Sequence, residues 1–474
     1  MSQSNSPSPQ LSRNFTMKLL QLCLVFGLIG FAAVATAAER PNFVFILADD
    51  LGFGDLKCYG HPYARTPNLD KLAEQGTRFT QFYVTGVTCC PSRTGFMTGK
   101  FPATFKDYPS SHGFGMQITV TELLKQAGYR TGHFGKWHIG PTPKPGTYGI
   151  DSINTADEFR SKKKGDERGR DAHIFDDAIG FIEKNKDGPF YVNVWGHVSH
   201  FPVNPPQTLV DKFKDVTVKD SDFSEFMQVK FARVRKEGGD LDDGMRRYLA
   251  DVTSLDEGVG RLLRKLDELG LSQNTIVVFS SDHGAGLGEL PKKVVDSAES
   301  EKTKRMQQEW NMMGYAGEFR GGKHGMYEGG VRVPFLIRWP GHVPEKTVNT
   351  SCVISAIDWL PTLCGITGAK IDAKDFDGED VSSVWLGKDR ERTKPLFWKT
   401  NNVRSEIAIR DGNWKLHDPN RKKGDIELYN LVSDPAESIN LATKNPALVQ
   451  QLQAKIEKWN ATLPKEYSKA DDSD

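Results

Sequence analysis

The stretch that most constrains the fold is PNFVFILADD, in which the apolar run Phe43–Ala48 ends directly at Asp49 and Asp50. A run without polar alternation is typical of a strand buried on both faces, as in the middle of a parallel sheet. Two adjacent carboxylates repel each other, so ionising both is costly unless a cation lies between them. The stretch therefore predicts a buried central strand with a charged site at its carboxyl end.

Helical patterns alternate with further apolar runs along the chain. The segments PFYVNVWGHVSHFP and TIVVFSSDHG each contain an apolar run that ends in polar residues, and the amphipathic helix YLADVTSLDEGVGRLLRKLDELG lies between them. This alternation predicts an α/β fold with a mostly parallel central sheet covered by helices on both faces. Short alternating strands after position 390 and a final helix from about 446 predict a small C-terminal α+β subdomain with an antiparallel sheet.

The first 37 residues have the features of a signal peptide. Arg13 and Lys18 precede an apolar run, and Ala35, Thr36 and Ala37 fit a small-residue cleavage site. The run nearly reaches membrane-spanning length, but its small residues and the lack of a stop-transfer flank favour removal. We therefore expect a secreted or periplasmic protein, lysosomal or extracellular in a eukaryote, with no stable membrane span after cleavage. The predicted parts are a signal peptide (1–37), a catalytic domain (38–390) and a C-terminal subdomain with terminal helix and acidic tail (391–474).

The charge balance excludes some partners. Lys and Arg number 62 and Asp and Glu 61, which gives a net charge of +1. Such a chain has no global field that attracts nucleic acid, so we expect no nucleic-acid partner, and any attraction for anions must be local.

Removal of the leader would leave an odd number of cysteines, which needs a reason in an oxidising compartment. They are Cys58, Cys89, Cys90, Cys352 and Cys364. If one of these cysteines is chemically modified, four remain, an even number that could form disulfides. The count alone is only suggestive, and the disulfide pairing stays open. A disulfide from Cys89 to Cys90 or Cys58 is the structural alternative, but a bridge between neighbours is strained.

Polar residues follow the end of each predicted strand, and ligands of open α/β sheets bind at the carboxyl ends of the strands. Asp49, Asp50 and Asp282 offer hard oxygen ligands of the kind that suit Ca²⁺ or Mg²⁺. A solvated turn would explain the first pair alone, but a second strand end with SDHG shifts the balance towards a metal site. The topology gathers at this edge Asp49, Asp50, Lys136, His138, His200, Asp282 and His283.

The stretch CCPSRTGFMTG has the features of a helix start. Pro91 suits the first helical turn, where free N–H groups and partial positive charge favour anions. Arg93 adds a planar fork that fits tetrahedral oxyanions, and Lys323 lies in a glycine-rich loop that lets the backbone approach a ligand. Together these groups suit a sulfate or phosphate.

These motifs resemble those of the type I, formylglycine-dependent sulfatases of the alkaline phosphatase superfamily. Further blocks occur in the order typical of that family: TPNLDKLAEQGTRFT, GKWHIG, SDHG, GGKHGMYEGGVRVP and ELYNLVSDPAE. The resemblance implies an alkaline-phosphatase-like fold and sulfuric ester hydrolase activity. The signature C-x-P-S-R-x-x-x-[LM]-T-G is matched by Cys89, Pro91, Ser92, Arg93, Met97, Thr98 and Gly99.

The resemblance also implies the site chemistry. Cys89 would become Cα-formylglycine through a formylglycine-generating or equivalent maturation enzyme, and its hydrated aldehyde would offer one hydroxyl to displace the alcohol and a second to release sulfate. One divalent ion, Ca²⁺ before Mg²⁺, would be held by Asp49, Asp50, Cys89, Asp282 and His283, the last standing where many relatives have Asn. The other implied catalytic roles are charge stabilisation by Arg93, sulfate binding by Lys136 and Lys323, assistance to the formylglycine by His138, and protonation of the leaving alcohol by His200.

The sequence thus predicts an exported sulfatase that hydrolyses a sulfate ester, of a carbohydrate before other alcohols. The alternatives that stay open are a phosphoester or phosphonate hydrolase of the same superfamily and a non-catalytic glycan-binding relative. Loops beyond the strand ends should determine substrate choice. Among them are the insertion Leu290–Phe319, a candidate lid, and four candidate rim aromatics, Tyr148, Phe201, Trp310 and Tyr315.

Overall fold

The computed structural model describes residues 1–3, 40–107, 112–155, 166–286, 312–400, 406–418 and 425–468. Most of the predicted signal peptide, most of the predicted lid with Trp310, and the acidic tail lie outside these ranges. From Pro41 to Asp474 the chain forms one compact unit. Within the described ranges, no helix has both the length and the apolar character that a membrane crossing requires.

The strands fall into two sheets, one in the larger part of the chain and one near its C-terminus. The first sheet contains β1 (Asn42–Ala48), β2 (Thr77–Tyr83), β3 (Arg130–Gly135), β4 (Ser152–Asn154), β5 (Phe190–Trp195), β6 (Thr275–Ser281), β7 (Arg332–Arg338), β8 (Thr347–Asn349) and β9 (Ile354–Ser355). The second sheet contains β10 (Leu396–Lys399), β11 (Ile407–Asp411), β12 (Trp414–Asp418) and β13 (Glu427–Asn430).

Along the chain the helices lie between these strands, except the last helix, which follows β13. They are α1 (Pro67–Glu74), α2 (Cys89–Thr98), α3 (Val120–Gln126), α4 (Ala172–Lys184), α5 (Gln207–Val210), α6 (Glu225–Lys236), α7 (Leu241–Glu268), α8 (Glu328–Val331), α9 (Trp359–Thr367), α10 (Ser382–Trp385) and α11 (Pro446–Asn460).

The large sheet has the order β4-β3-β5-β1-β6-β7-β2-β8, with β9 also paired to β2. Strands β4, β3, β5, β1 and β6 are mutually parallel, whereas β7 is antiparallel to both neighbours. The predicted mostly parallel central sheet is therefore confirmed. The C-terminal sheet is antiparallel throughout, in the order β10-β11-β12-β13, as predicted.

Strand β1 lies at the centre and is buried on both faces. Its residues Phe43, Phe45 and Leu47 pack into the core on one face, with α9, α11 and the C-terminal sheet. The alternating residues Val44 and Ile46 pack into the core on the other face, with α4 and α7. Two-sided burial explains why the strand reads as a continuous apolar run instead of an alternating one.

One helix start differs from the usual sequence signal. Thr66 precedes α1 at the N-cap position, but its side chain makes no capping hydrogen bond. The N–H groups of Asn68 and Leu69 donate instead to Asp256 on α7, at 3.0 and 2.8 Å. A carboxylate at a helix N-terminus is favourable, and here it also joins two helices. Only the tertiary packing brings it there.

The cysteine alternative does not occur in the described structure. Among the described residues, no disulfide joins any of the five cysteines, Cys58, Cys89, Cys90, Cys352 and Cys364. The alternative of a disulfide from Cys89 to Cys58 or Cys90 is therefore wrong for this structure, and the sulfur of Cys89 faces a different set of partners.

Candidate active site

The end of β1 forms the floor of the candidate site. Asp49 and Asp50 are 0% and 1% exposed, so neither carboxylate is solvated. Asp50 adopts a left-handed φ of 62°, which is uncommon outside glycine and is found where the surroundings impose it. Its N–H donates to Oδ1 of Asp282, 3.2 Å away, which ties the ends of β1 and β6 together.

Helix α2 begins at Cys89, with Pro91 in its first turn as the sequence predicts. The Sγ atom of Cys89 lies 3.4 Å from Oδ1 of Asp49 and 3.3 Å from Nε2 of His283. The ammonium groups of Lys136 and Lys323 approach the same sulfur at 3.5 and 3.9 Å. The first residue of α2 thus lies between the two lysines and the carboxylate and imidazole groups at the ends of β1 and β6.

Arg93, one turn further along α2, is fully buried. Its Nε and NH2 groups lie 3.0 and 2.9 Å from Oδ2 of Asp282, and its NH1 donates to the backbone oxygen of Lys136 at 2.9 Å. The guanidinium also lies over the ring of Trp195, 5.1 Å from its centre. These contacts fix the orientation of the planar fork.

Each of the two lysines pairs with one of the adjacent aspartates. Lys136 follows β3, and its Nζ donates to Oδ2 of Asp49 at 2.6 Å. Lys323 donates to both carboxylate oxygens of Asp50, at 2.9 and 3.1 Å. Lys323 precedes β7, and because β7 runs against its neighbours, the start of that strand lies at the same edge as the ends of β1 and β6. The glycine-rich loop is held there by the N–H of Lys323, which donates to the Ala285 carbonyl at 2.9 Å.

The electrostatic environment favours the ionised form of the thiol. Burial and the charge of Asp49 act to raise the pKa of Cys89, but Lys136, Lys323 and His283 outweigh them and hold it well below its ordinary value. Burial raises the pKa of Asp282 to about 7, with Asp49 and Cys89 adding to the increase. The three aspartates and the sulfur therefore crowd negative charge into a dry volume, a situation that a bound cation relieves.

The donor set fits a divalent ion. Ligand atoms of Asp49, Cys89, Asp282 and His283 all lie within 4.8 Å of one another, and those of Asp50, Cys89 and His200 form a second such group. Nδ1 of His283 lies 3.0 Å from the carbonyl oxygen of Gly284. Because a carbonyl only accepts, Nδ1 carries a proton. Burial acts to lower the pKa of His283, but Asp282, Asp50 and Cys89 outweigh it and hold that pKa well above its ordinary value. Nε2 therefore becomes a ligand when a cation displaces its proton. Carboxylate oxygens are the ligands that Ca²⁺ and Mg²⁺ prefer, so the aspartates and not the imidazole carry the fit to a hard cation.

His200 and His138 lie on loops at this edge. Half-buried His200 directs Nδ1 to the Phe201 carbonyl at 2.6 Å, so any proton exchange with a ligand at the site would use Nε2. His138, two residues after Lys136, is exposed and adopts a left-handed φ of 53°.

The candidate rim aromatics divide into two groups. Tyr148 stacks on Trp137 with ring centres 6.0 Å apart, and its hydroxyl accepts the N–H of Phe114. Tyr315 packs edge-on against Phe223 at 5.1 Å. Both rings therefore pack loops together, which is a structural role and not the substrate contact expected of a rim aromatic. Phe201 is half-buried beside His200 and remains a rim candidate.

Sequence patterns did not single out two residues that support the site. Arg170 and Asp171 are the last two residues of the charge-rich stretch 160–171, yet they hydrogen-bond the backbone of the loop that carries His200. The only sequence signal for their role was weak, because it consisted of an Arg-Asp pair directly before the amphipathic pattern of α4.

Two family descriptions match the chain. "Sulfatase" matches residues 41–369, and "N-sulphoglucosamine sulphohydrolase, C-terminal" matches residues 317–462. Arylsulfatase A of Homo sapiens is 30% identical, over 90% of this chain and 89% of that protein. N-acetylgalactosamine-6-O-sulfatase of Bacteroides thetaiotaomicron is 29% identical, over 89% of this chain and 93% of that protein.

Solved structures share the fold. The crystal structure of Ps i-CgsB in complex with k-i-k-neocarrahexaose superposes with a TM-score of 0.72 at 24% identity, covering 91% of this chain and 96% of that one. The phosphonate monoester hydrolase of Agrobacterium radiobacter superposes with a TM-score of 0.66 at 18% identity, covering 89% of this chain and 96% of that one. At these identities the likeness concerns the fold alone.

Proposed function

The chain belongs to the sulfatase family and is a sulfuric ester hydrolase, and on that premise we propose that it removes sulfate from a sulfated carbohydrate through a formylglycine formed at Cys89. The observation that carries this proposal is the position of the Cys89 sulfur between Lys136 and Lys323, at 3.5 and 3.9 Å. A nucleophile there has two cations within reach of the oxygens of the group that it attacks. A maturation enzyme must install the aldehyde.

A divalent ion bound by Asp49, Asp50, Asp282, His283 and the modified residue 89 would supply Lewis-acid stabilisation of charge. The chain's own residues then share the remaining work. Lys136 and Lys323 bind the equatorial sulfate oxygens, because each ammonium already lies at the site. Arg93 keeps the carboxylate of Asp282 in place through two contacts to one oxygen.

The leaving alcohol needs a proton, because an alkoxide of a sugar is a poor leaving group at neutral pH. His200 is the proposed donor, with His138 acting on the hydrated aldehyde. Support for His200 comes from its membership of the group with Asp50 and Cys89, whose ligand atoms lie within 4.8 Å of one another.

The carbohydrate part of the proposal rests on relatives. One similar protein is named as an N-acetylgalactosamine-6-O-sulfatase and another as an ulvan-active sulfatase. Export is part of the proposal and is supported by the signal-peptide features of residues 1–37. Phosphonate monoester hydrolysis is the second candidate, since the fold is shared with such an enzyme.

The test compares substrates that share one leaving phenol. Matured holoenzyme is assayed on an aryl sulfate, an aryl phosphate and an aryl phosphonate monoester, and inorganic sulfate release is measured from sulfated oligosaccharides. We expect kcat/KM to be highest for the sulfate, with Cys89→Ala inactive and Cys90→Ala active. A higher kcat/KM on the phosphonate, or no sulfate release from any ester, would contradict the proposal.

A further inference from the structure

We propose that Arg170 and Asp171 are positioning residues that hold the His200 loop, residues 196–202, so that the imidazole of His200 stays directed at the site. This inference rests on the proposed function, because the task of His200 as proton donor to the leaving alcohol is part of it. The two side chains do not belong to the sulfatase signature or to the group around Cys89.

Arg170 binds the loop through its carbonyl groups. Its NH2 group donates to the carbonyl oxygens of His197 and His200 at 2.8 and 2.6 Å, and its NH1 group donates to that of Pro202 at 2.9 Å. One planar guanidinium therefore satisfies three acceptors spread over six residues, which only a side chain with several fixed donors can do. The carbonyl of His200 itself is among them, so a shift of the guanidinium acts directly on the backbone of the proposed proton donor.

Asp171 binds the same loop through its N–H groups. Its Oδ2 accepts the N–H groups of His197 and Val198 at 2.8 and 3.0 Å, and its Oδ1 lies 3.3 Å from Nδ1 of His197. A Cβ atom at Gly196 would lie 2.5 Å from Oδ2, so the close approach requires glycine at that position. Arg170 therefore binds the carbonyl groups of this loop, and its neighbour Asp171 binds the N–H groups of the same loop.

The pair is itself anchored to the helical layer. Asp171 immediately precedes α4, and NH2 of Arg170 lies 3.1 Å from Oδ2 of Asp251 on α7, a residue with no exposed surface. On the opposite side, the loop is bonded to the end of β1, since the Ser199 N–H donates to the Asp49 carbonyl at 2.6 Å. The loop is therefore held between a rigid pair of helices and the strand that carries the proposed metal ligands.

This arrangement predicts an effect that depends on the leaving group. A phenol of low pKa leaves without a proton, whereas an alcohol of high pKa needs one from a correctly placed acid. A change that misdirects His200 should therefore spare the first class of substrate and impair the second. A purely structural defect would lower the amount of correctly folded enzyme and reduce both equally.

The test uses Arg170→Lys, which keeps a positive charge beside Asp251 but cannot reach three carbonyls. The matched control is Arg168→Lys, an exposed arginine of the same segment that pairs with Asp166 and Asp176. For matured holoenzyme, kcat/KM is measured over aryl sulfates whose phenols span a range of pKa. We expect Arg170→Lys to lose about tenfold to a hundredfold on the poorest leaving group and much less on the best, since general acid catalysis contributes about 10²–10⁴.

The slope of log kcat/KM against phenol pKa should therefore approach that of His200→Ala, while Arg168→Lys follows the wild type. A parallel loss across the whole series would overturn the inference. Asp171→Asn, which keeps the side-chain volume, serves as a second variant, and we expect it to change the slope in the same direction as Arg170→Lys.

Hydrogen–deuterium exchange gives a readout without catalysis. Amides of residues 196–202 should exchange faster in Arg170→Lys than in the wild type or in Arg168→Lys, with α7 unchanged. Equal exchange would overturn the inference even for an inactive enzyme. A wild type that turns over no sulfate ester would instead contradict the proposed function, and exchange would still decide whether Arg170 holds the loop.

Discussion

The Sγ atom of Cys89 lies 3.3 Å from Nε2 of His283, a contact between residues 194 positions apart in the chain. It brings the start of α2 against the residue that follows Asp282. Any group created at position 89 therefore meets the proposed ligands directly, so modification and metal binding should depend on each other.

The first prediction concerns the modification. A peptide containing residue 89, from enzyme made in a host with maturation machinery, should be lighter than its thiol form and react with hydrazide probes. Cys89→Ala should abolish turnover, because no other group takes its place between the lysines, whereas Cys90→Ala should keep most of it. Fully active enzyme with an unmodified thiol at position 89 would exclude the formylglycine mechanism.

The second prediction concerns the metal. Asp50→Asn and Asp282→Asn should weaken divalent-ion binding and reduce kcat by at least about a hundredfold, since each removes a charged ligand. His283→Asn should retain partial activity, because an amide oxygen can replace Nε2 as a ligand. Titration calorimetry with Ca²⁺ and Mg²⁺ and melting curves with and without chelator provide the measurements. Unchanged activity and melting after exhaustive chelation would remove the metal from the mechanism.

The third prediction concerns the insertion between β6 and β7. The test variant replaces residues 291–310 by a short linker. These bounds retain Met312 and Met313, which are buried, and Tyr315, whose N–H donates to Asp55 at 2.7 Å. We expect kcat/KM on a sulfated oligosaccharide to fall at least about tenfold further than that on an aryl sulfate, because both substrates share the chemical step.

A deletion of residues 160–164, in another charge-rich segment of the sequence, is the control and should affect both substrates alike. Equal losses on both substrates in the 291–310 deletion would show that the insertion supports the core site and not the choice of substrate.

The fourth prediction concerns pH. The ammonium of Lys415 lies 2.9 Å from Glu328 and 3.0 Å from Glu437, and all three side chains are fully buried. Burial and the charge of Glu328 raise the pKa of Glu437 to about 7, although Lys415 acts against the increase. The folded state therefore binds a proton more tightly than the unfolded chain, and the contribution of this group to stability falls as the pH rises from about 4.5 to about 7.

Glu437→Gln removes this dependence. Relative to the wild type, its free energy of unfolding should improve by up to about 3 kcal/mol between pH 4.5 and 8, followed as the difference in melting temperature. Glu328→Gln should also flatten the wild-type slope, since one carboxylate then remains beside one ammonium. If the difference in melting temperature between Glu437→Gln and the wild type is the same at every pH, this account is contradicted.

Much of the fold could be predicted because its signals are local. The apolar run Phe43–Ala48 predicts a strand buried on both faces, and the pattern around Pro91 predicts the start of α2. Asp49, Asp50 and Asp282 stood out because they follow strands directly, and parallel strands end at one edge of a sheet. The disulfide alternative for Cys89 failed, and Asp256 instead of Thr66 accepts the first N–H groups of α1, because both outcomes depend on what packs nearby.

What the sequence determined by itself is therefore the class of the fold, its two sheets and the set of residues available for chemistry. Tertiary structure alone decided that β7 is reversed, which brings Lys323 to Asp50. It also decided that Tyr148 stacks on Trp137 and that Arg170 holds the His200 loop. The physical reason is range. Hydrophobic periodicity acts over a few neighbouring residues, whereas these contacts join residues from 11 to 273 positions apart and exist only once the chain has folded.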